Sequence, residues 1–246
     1  LHRLIRRQRQ MCIRDRAYAC QQEKEPVLEI SSSMDIGEHP GCNRGTIWIF
    51  TNADSVRMYK NGRFLKEYTV SDSPYKNLLH GPVAVDDFIG DAIEKEEDFK
   101  PAQAKAVKYI LNAAARYGLS DLPYLAALKL ILFYHMKPTD AVTLYNRYIG
   151  DWGGISTSYR FEAVKNGKVV KVVRKEPVTS LHLSAKPDHQ SLTERHTYDV
   201  AEIRIHALDQ NDNIVNFYQE PVVLSAEGPI AIIGPVSYTH LTLPTN

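Results

Sequence analysis

The chain has 246 residues, of which 43% are hydrophobic, and 30 Lys and Arg stand against 29 Asp and Glu for a formal net charge of +1. A chain of this size can bury one sizeable core or two small ones. It contains no apolar run of the roughly 18 residues that span a bilayer, so we expect no membrane partner. Of its three Cys, Cys12 lies in the N-terminal tail, residues 1–16, and Cys20 and Cys42 have no metal-ligand spacing; these two could pair, but we interpret them as reduced thiols, which favours a cytoplasmic location without fixing it.

The two ends of the chain do not resemble natural protein sequence. Residues 6–16 match the translation of a transposon-type sequencing adapter, and residues 236–245 match the translation of its reverse complement. We therefore expect residues 1–16 and 235–246 to be adapter-derived tails, and 17–234 to be a window cut from a longer gene. The first tail holds six Arg and one Asp, so the window itself is net acidic. A basic arm for nucleic acid and an Arg-rich transit peptide thereby lose their support.

Two hairpins are predicted, one on each side of the middle of the chain. Asn61-Gly62 and Asn166-Gly167 are both flanked by β-prone runs. An Asn-Gly pair between such runs is the strongest short-range hairpin signal, because both turn residues take positive φ. The runs lie at 55–59 and 64–68 around the first pair, and at 158–164 and 169–173 around the second. Two earlier strands are expected at 27–30 and 46–50.

A helical insertion is predicted over about 87–150, between the hairpins. Pro101 begins its first helix and Gly118 ends it. Apolar residues recur at helical spacing along one face of this helix: Val107, Ile110, Leu111 and Ala114. The acidic run 94–98 just before it is interpreted as a solvated surface.

Two more helices complete the predicted insertion. The second is capped by Ser120 and stops at Pro138, and the third covers 139–149. Three successive helices also suggest a helix-turn-helix, with the third helix in the DNA groove. That helix offers only Arg147 as a strong cation, so we expect no nucleic-acid partner.

Short strands return after the second hairpin. Apolar and polar residues alternate over 181–185 and 201–207, a turn is expected at 209–213, and β-prone runs follow at 222–224 and 230–233. The predicted fold class is therefore mainly β: an Ig-like β-sandwich with a three-helix segment, followed by a truncated Ig-like sandwich. The predicted domains are 17–176 and 177–234.

The run from Ile47 to Phe64 resembles a segment of glycoside hydrolase family 2, the β-galactosidase and β-glucuronidase group. In that family a β-sandwich follows the catalytic barrel and carries a strand ending in Thr/Ser-Asn, an Asp-x-Val step and an Asn-Gly hairpin. This sequence has the corresponding residues: Thr51-Asn52, Asp54-Ser55-Val56 and Asn61-Gly62. The resemblance implies that Ala17-Tyr18 and 25–28 form the exit from the barrel, and that 198–230 belongs to the next Ig-like module.

The resemblance implies a non-catalytic C-terminal fragment of a retaining β-glycosidase. The family's acid/base Glu follows an Asn, but this chain has no Asn-Glu dipeptide and no repeating βα pattern for a barrel. We therefore expect no catalytic residue, no metal and no cofactor here, and a role as scaffold, substrate entrance or interface. The expected partners are the absent barrel, an oligosaccharide and further copies in a homo-oligomeric parent. The alternative is a stand-alone Ig-like adhesion or carbohydrate-binding module.

Trp152 and Tyr148 are the candidate substrate-binding residues. A Trp in a Gly-flanked loop suits stacking on a sugar ring. The alternative is that Trp152 fills the joint between insertion and sandwich, and that Tyr148 shares that role. His135, beside the apolar face of the second helix, is interpreted as a packed His. The loop 31–45 combines carboxylates, His and Cys, which a polar loop explains without a metal ion.

Overall fold

The computed structural model describes residues 17–34, 44–118, 122–150, 156–194, 196–215 and 218–234. These residues fall into two compact units, and the chain divides between Val178 and Thr179. The first unit combines two antiparallel sheets with short helices. The second contains one antiparallel sheet among its described residues.

Seven described strands form the two sheets of the first unit. The three-stranded sheet has the order β1-β2-β5 and is built from β1 (Leu28–Ile30), β2 (Trp48–Thr51) and β5 (Val83–Ala84). The four-stranded sheet has the order β4-β3-β6-β7 and is built from β3 (Ser55–Lys60), β4 (Arg63–Thr69), β6 (Tyr159–Lys165) and β7 (Lys168–Lys175). Strand β6 therefore returns from beyond the helices to pair with β3 in the middle of its sheet.

Both predicted Asn-Gly hairpins are confirmed. Asn61 and Gly62 have φ of 48° and 80° between β3 and β4, and Asn166 and Gly167 have φ of 52° and 74° between β6 and β7. Positive φ at both central residues gives a turn whose twist matches that of the flanking strands.

The helical segment lies between β5 and β6, as the periodicity predicts. Its helices are α1 (Ala92–Glu96), α2 (Pro101–Tyr117), α3 (Tyr124–Tyr134) and α4 (Pro138–Tyr145). Pro101 does occupy the first turn of α2, and Gly118 ends it with φ 85°. The four apolar residues predicted on its inner face are all buried. Periodicity and end signals thus predicted α2 correctly.

The other two predicted helices differ in their ends. Ser120 lies outside the described residues, and Pro123 is the N-cap of α3. The third helix remains α-helical only to Tyr145 and continues as a π-helical turn over Asn146–Gly150. A π turn uses wider hydrogen-bond spacing than an α-helix, which the apolar periodicity of the sequence does not distinguish.

The core of the first unit joins one face of each sheet to the helices. Alternate side chains of β3 and β6 are buried, among them Met58 and Phe161, each 0% exposed. Leu28 of β1 and Leu111 of α2 belong to the same hydrophobic cluster. Burial on one face of each of two sheets is the arrangement of a β-sandwich.

The second unit pairs β8 (Leu181–Pro187) with β9 (Ile203–Asp209). Asp209 closes the predicted turn: its Oδ1 accepts hydrogen bonds from the backbone N–H of Asn211 and Asn213, both at 2.8 Å. The strands predicted at 222–224 and 230–233 are wrong, because neither segment forms a strand. Their β-prone side chains find no ladder partner among the described residues, and propensity alone does not make a strand.

Candidate functional site

Asn52 holds the segment of chain that precedes β1. Its side chain is 2% exposed, and its Oδ1 accepts a hydrogen bond from the backbone N–H of Val27 at 2.8 Å. Its Nδ2 donates to the carbonyls of Gln22 and Glu25, at 2.6 and 2.7 Å. The neighbouring Thr51 Oγ1 donates to the carbonyl of Val27 at 2.8 Å. An amide supplies one acceptor and two donors in a single side chain, so Asn satisfies all three backbone groups.

A second set of contacts fixes the same segment from the other side. Gln21 Nε2 donates to the carbonyl of His80 at 2.7 Å, and the His80 N–H donates back to Gln21 Oε1 at 3.2 Å. Glu23 hydrogen-bonds His80 Nε2 at 2.6 Å and forms an ion pair with Lys165. The bond from Lys165, and then that from His80, lowers the pKa of Glu23.

These six residues are named the N-terminal clamp: Gln21, Glu23, Thr51, Asn52, His80 and Lys165. They come from the segment before β1, the end of β2, the loop before β5 and the end of β6. The clamp therefore ties the start of the described chain to both sheets. Thr51-Asn52 is one of the motifs on which the family resemblance depends, but the sequence alone did not predict which groups these two side chains contact. The sequence feature that could have indicated these contacts is the amide of Asn52 at the end of a buried strand, because a buried amide needs hydrogen-bond partners.

The other motif residues brace the two hairpins. The backbone N–H of Ser158 donates to Asn61 Oδ1, and the Asn61 N–H donates to the Ser158 carbonyl, both at 2.8 Å. Asp54 Oδ2 accepts from the Asn166 N–H at 2.7 Å, and the Asp54 N–H donates to the Val164 carbonyl at 2.9 Å. Asp54 and Asn61, which flank β3, thus bind residues at the two ends of β6. Their side chains hold the fold.

A cleft of about 420 Å³ opens among the helices. It lies between the segment before α2, the end of α3 and the start of α4. Its walls combine apolar and polar side chains, among them Glu97, Phe99, Tyr134, His135, Asp140 and Arg147. Aromatic walls with a few polar groups are typical of small-molecule sites.

The carboxylates of the cleft are already engaged. Glu97 Oε1 accepts from Tyr148 Oη at 2.8 Å and from Arg147 Nη1 at 2.6 Å. Asp140 Oδ2 accepts from the backbone N–H of Lys137, at 3.3 Å, at the start of α4. Glu97 differs from the rest of the acidic run, which we predicted to be solvated, because its side chain is only 17% exposed. Both carboxylates hold helix ends.

Tyr148 occupies a packed position. It is 6% exposed, and its carbonyl accepts a hydrogen bond from Lys60 Nζ at 2.9 Å. Burial, and then the hydrogen bond with Glu97, raises the pKa of Tyr148 above its ordinary value. Its ring lies in the hydrophobic core and offers no open face to a ligand. Trp152 lies outside the described residues, so a sugar-binding role for this pair stays a prediction.

His135 is exposed, so the prediction of a packed side chain is wrong. Helix α3 ends at Tyr134, and His135 is its C-cap with φ 50°. A left-handed C-cap reverses the direction of the chain, so the residue no longer follows the apolar face of the helix. His135 lies at the cleft instead.

Within the described ranges, no three His, Cys, Asp or Glu side chains lie together where they could hold a metal ion. The loop 31–45 is described only at 31–34 and 44–45, so its interpretation as a polar loop stays a prediction. Cys20 is a free, buried thiol. No helix in the described part of the chain is long and apolar enough to cross a bilayer.

The chain matches no protein-family model. Over 94 residues it is 31% identical to a β-galactosidase of Rhizobium radiobacter. The aligned segment covers 35% of this chain and 62% of that protein, so the chain spans less than two thirds of its relative. This similarity supports a relation to glycoside hydrolases and indicates a glycosidase-related module.

Proposed function

We propose that residues 17–234 are a non-catalytic module of a family 2 glycoside hydrolase. In the parent protein a separate barrel would hydrolyse terminal β-linked sugars with retention, and this module would support it. The tails 1–16 and 235–246 would be translated adapter sequence. The observation that carries the proposal is the N-terminal clamp. The segment that the resemblance identifies as the exit from the barrel is the segment that Asn52 binds.

The clamp suits the work of a supporting module. An unbound linker would let two domains reorient, since independent motion is the default for joined domains. Asn52 fixes three backbone groups between Gln22 and Val27, the Glu23 contacts with His80 and Lys165 fix the same stretch, and Gln21 binds the His80 backbone just before it. A barrel joined at Ala17 would then leave the sandwich from a fixed point. A fixed exit allows the module to shape a substrate entrance or a subunit interface.

The second unit fits the start of an Ig-like module. Its two strands expose apolar side chains that a sandwich buries: Leu181, Leu183 and Ile203, each 49–58% exposed. A two-stranded sheet alone is marginally stable in water, and three or more strands with a covered face are needed. We propose that further strands complete this sheet in the parent protein.

A carbohydrate-binding role is the second candidate, and the helical cleft favours it. Phe99 and Tyr134 give the cleft aromatic walls, and Arg147 and His135 add polar groups near them. Binding of galacto-oligosaccharides to the chain, measured by calorimetry and lost in Tyr134→Ala, would support this role. Unchanged binding in that variant would place the sugar elsewhere.

The family proposal is tested by sequencing the source DNA in both directions from the codons for residues 52–62, which recovers the rest of the gene. We expect an upstream βα-repeat region with two glutamates at barrel strand ends. A signal peptide followed by further Ig-like repeats would contradict it and favour an adhesion protein. The purified chain should also show no turnover of nitrophenyl β-glycosides. Turnover that survives further purification would overturn its non-catalytic role.

A further inference from the structure

Helix α3 is apolar on nearly every side. Its eleven residues, Tyr124–Tyr134, include one charged residue, Lys129. Leu130 is 6% exposed and packs into the core, and Ala126, Ala127 and Tyr134 pack partly against it. A helix with this composition is normally buried all round. One side of α3 nevertheless faces water.

The exposed side forms a continuous stripe. The spacing of Tyr124, Leu125, Leu128, Ile131 and Leu132 places them on one face, because they recur at i, i+1, i+4, i+7 and i+8. Leu125 is 81% exposed, Tyr124 75%, Leu132 58% and Ile131 51%, and Leu128 at the centre is half-buried. Phe133, 73% exposed, lies further round the helix, with the position of Lys129 between it and the stripe. These six residues are named the α3 surface.

We propose that the α3 surface is the interface between two copies of this chain. A two-fold interface is formed by the same patch on both partners, so the patch must complement itself. The α3 surface does so, since its six side chains are aliphatic or aromatic and carry no charge, and Lys129 is the one charged residue of the helix beside them. The 3-4 spacing of Leu125, Leu128 and Leu132 is that of the apolar seam in a coiled coil.

The size of the surface suits a second copy. Its exposed side chains amount to on the order of 600–700 Å², against the ~800 Å² that one partner contributes to a standard interface. Single-chain proteins rarely leave a larger apolar patch uncovered. Homodimer interfaces are also the most apolar class, with aromatic residues enriched and charged residues depleted at their centre.

Other occupants fit the surface less well. An oligosaccharide needs several polar partners, and the Tyr124 hydroxyl is the single polar group on the α3 surface. A helix lying in a membrane interface carries Lys and Arg beside its apolar face. Lys129 is the one such residue in the sequence of α3.

Sedimentation of the full 246-residue chain over a range of concentrations tests the proposal. We expect a reversible equilibrium between monomer and dimer. Leu125→Glu and Leu132→Glu should each weaken the dimer roughly 100-fold or more, because a two-fold interface buries the new charge twice. The matched control is Leu79→Glu, which adds the same charge at a residue that is 67% exposed outside α3. It should leave the dimer unchanged.

Three results would overturn the proposal. The first is a monomer at every concentration, and the second is a dimer that neither α3 substitution weakens. The third is a monomer that sediments with neutral phosphatidylcholine vesicles and loses this binding in Leu125→Glu. Thermal unfolding of the monomeric variants is a further check, because Leu125→Glu should shift the midpoint no more than Leu79→Glu. A much larger shift would mean that the same chain covers the surface, which also contradicts the interface.

Discussion

Strands of the same character have opposite environments in the two units. In the first unit, Met58 of β3 and Phe161 of β6 are fully buried because a second sheet and the helices cover one face of their sheet. In the second unit, Leu183 of β8 and Ile203 of β9 alternate with polar residues in the same way but are 49% and 58% exposed. Alternation therefore determines which face of a strand is apolar, whereas burial of that face depends on a covering layer elsewhere in the chain.

Truncation of one leucine in each unit measures this difference most directly. Leu28→Ala removes a fully buried side chain of β1 and should lower the free energy of unfolding by about 2–5 kcal/mol. Leu183→Ala, the same change at a half-exposed site, should cost about 0.5 kcal/mol or less. Urea denaturation followed by far-UV circular dichroism provides both values. Equal losses of unfolding free energy would show that the apolar face of β8 is buried to the same degree as that of β1.

Removal of the buried amide should give the next largest effect. Asn52→Ala removes the bond to the Val27 N–H and the bonds to the carbonyls of Gln22 and Glu25, of which the Glu25 carbonyl keeps a bond from Gln22 Nε2, and we expect a loss of about 2–3 kcal/mol. Asn213→Ala is the control in the second unit, because the Asn213 amide donates to Asp209, whose buried carboxylate keeps its bonds from the backbone N–H groups of Asn211 and Asn213. It should cost about 1 kcal/mol.

Hydrogen exchange at the Val27 amide localises the effect of Asn52→Ala. Exchange at this amide should become much faster, because its acceptor is removed. If the Val27 amide is as well protected from exchange in the variant as in the unsubstituted chain, Asn52 does not hold the segment before β1.

The glycines of the turns provide a smaller comparison. Gly167→Ala meets no neighbouring atom within 4 Å, but its φ of 74° is strained for a residue with a Cβ, so we expect a loss of about 1–2 kcal/mol. Gly228 has φ 90° and equally open space, but it lies outside any strand. No strand pairing fixes the described backbone around Gly228, so we expect Gly228→Ala to cost less than about 0.5 kcal/mol. Thermal unfolding would show the ranking, and equal shifts for both variants would contradict it.

The smallest expected effect is a dependence on pH. Glu23 has a lowered pKa in the folded chain, so its pairing stabilises the fold above the unfolded pKa and is lost as pH falls through the folded pKa. Glu23→Gln should therefore flatten the decrease in unfolding temperature between neutral and acid pH. The counterpart in the second unit is Asp199, whose pKa is lowered by bonds from the N–H groups of Thr193 and Val200. An acid profile that Glu23→Gln leaves unchanged would exclude a contribution from this pair.

Local signals predicted the parts of the fold that depend on a few neighbouring residues. The Asn-Gly turns follow from positive φ, and the bounds of α2 follow from the Pro at its start and the Gly at its end. The prediction for His135 was wrong because it assumed that the helix continued through this residue. The strands expected at 222–224 and 230–233 were wrong because pairing needs a partner that local sequence does not specify.

The candidate site was less predictable than the fold. Asn52 was recognised as part of a motif, but its hydrogen bonds reach residues 25–30 positions earlier in the chain. Tyr148 was chosen for its aromatic ring, and its burial depends on contacts with Glu97 and Lys60 from other elements. Such contacts exist only in the assembled fold. Residue type and spacing therefore identified candidate residues, but not whether those residues face water.

The return of β6 to β3 also sets the order of events during synthesis. The brace from Asn61 reaches Ser158, 97 residues later in the chain. At a ribosomal rate of ~5–20 residues per second, the first hairpin emerges several seconds before β6 exists to pair with it. During that interval β3 has an open edge, which is the kind of surface that recruits other nascent chains. Expression at low temperature or with a chaperone should therefore increase the yield of folded protein more than changes to the second unit do.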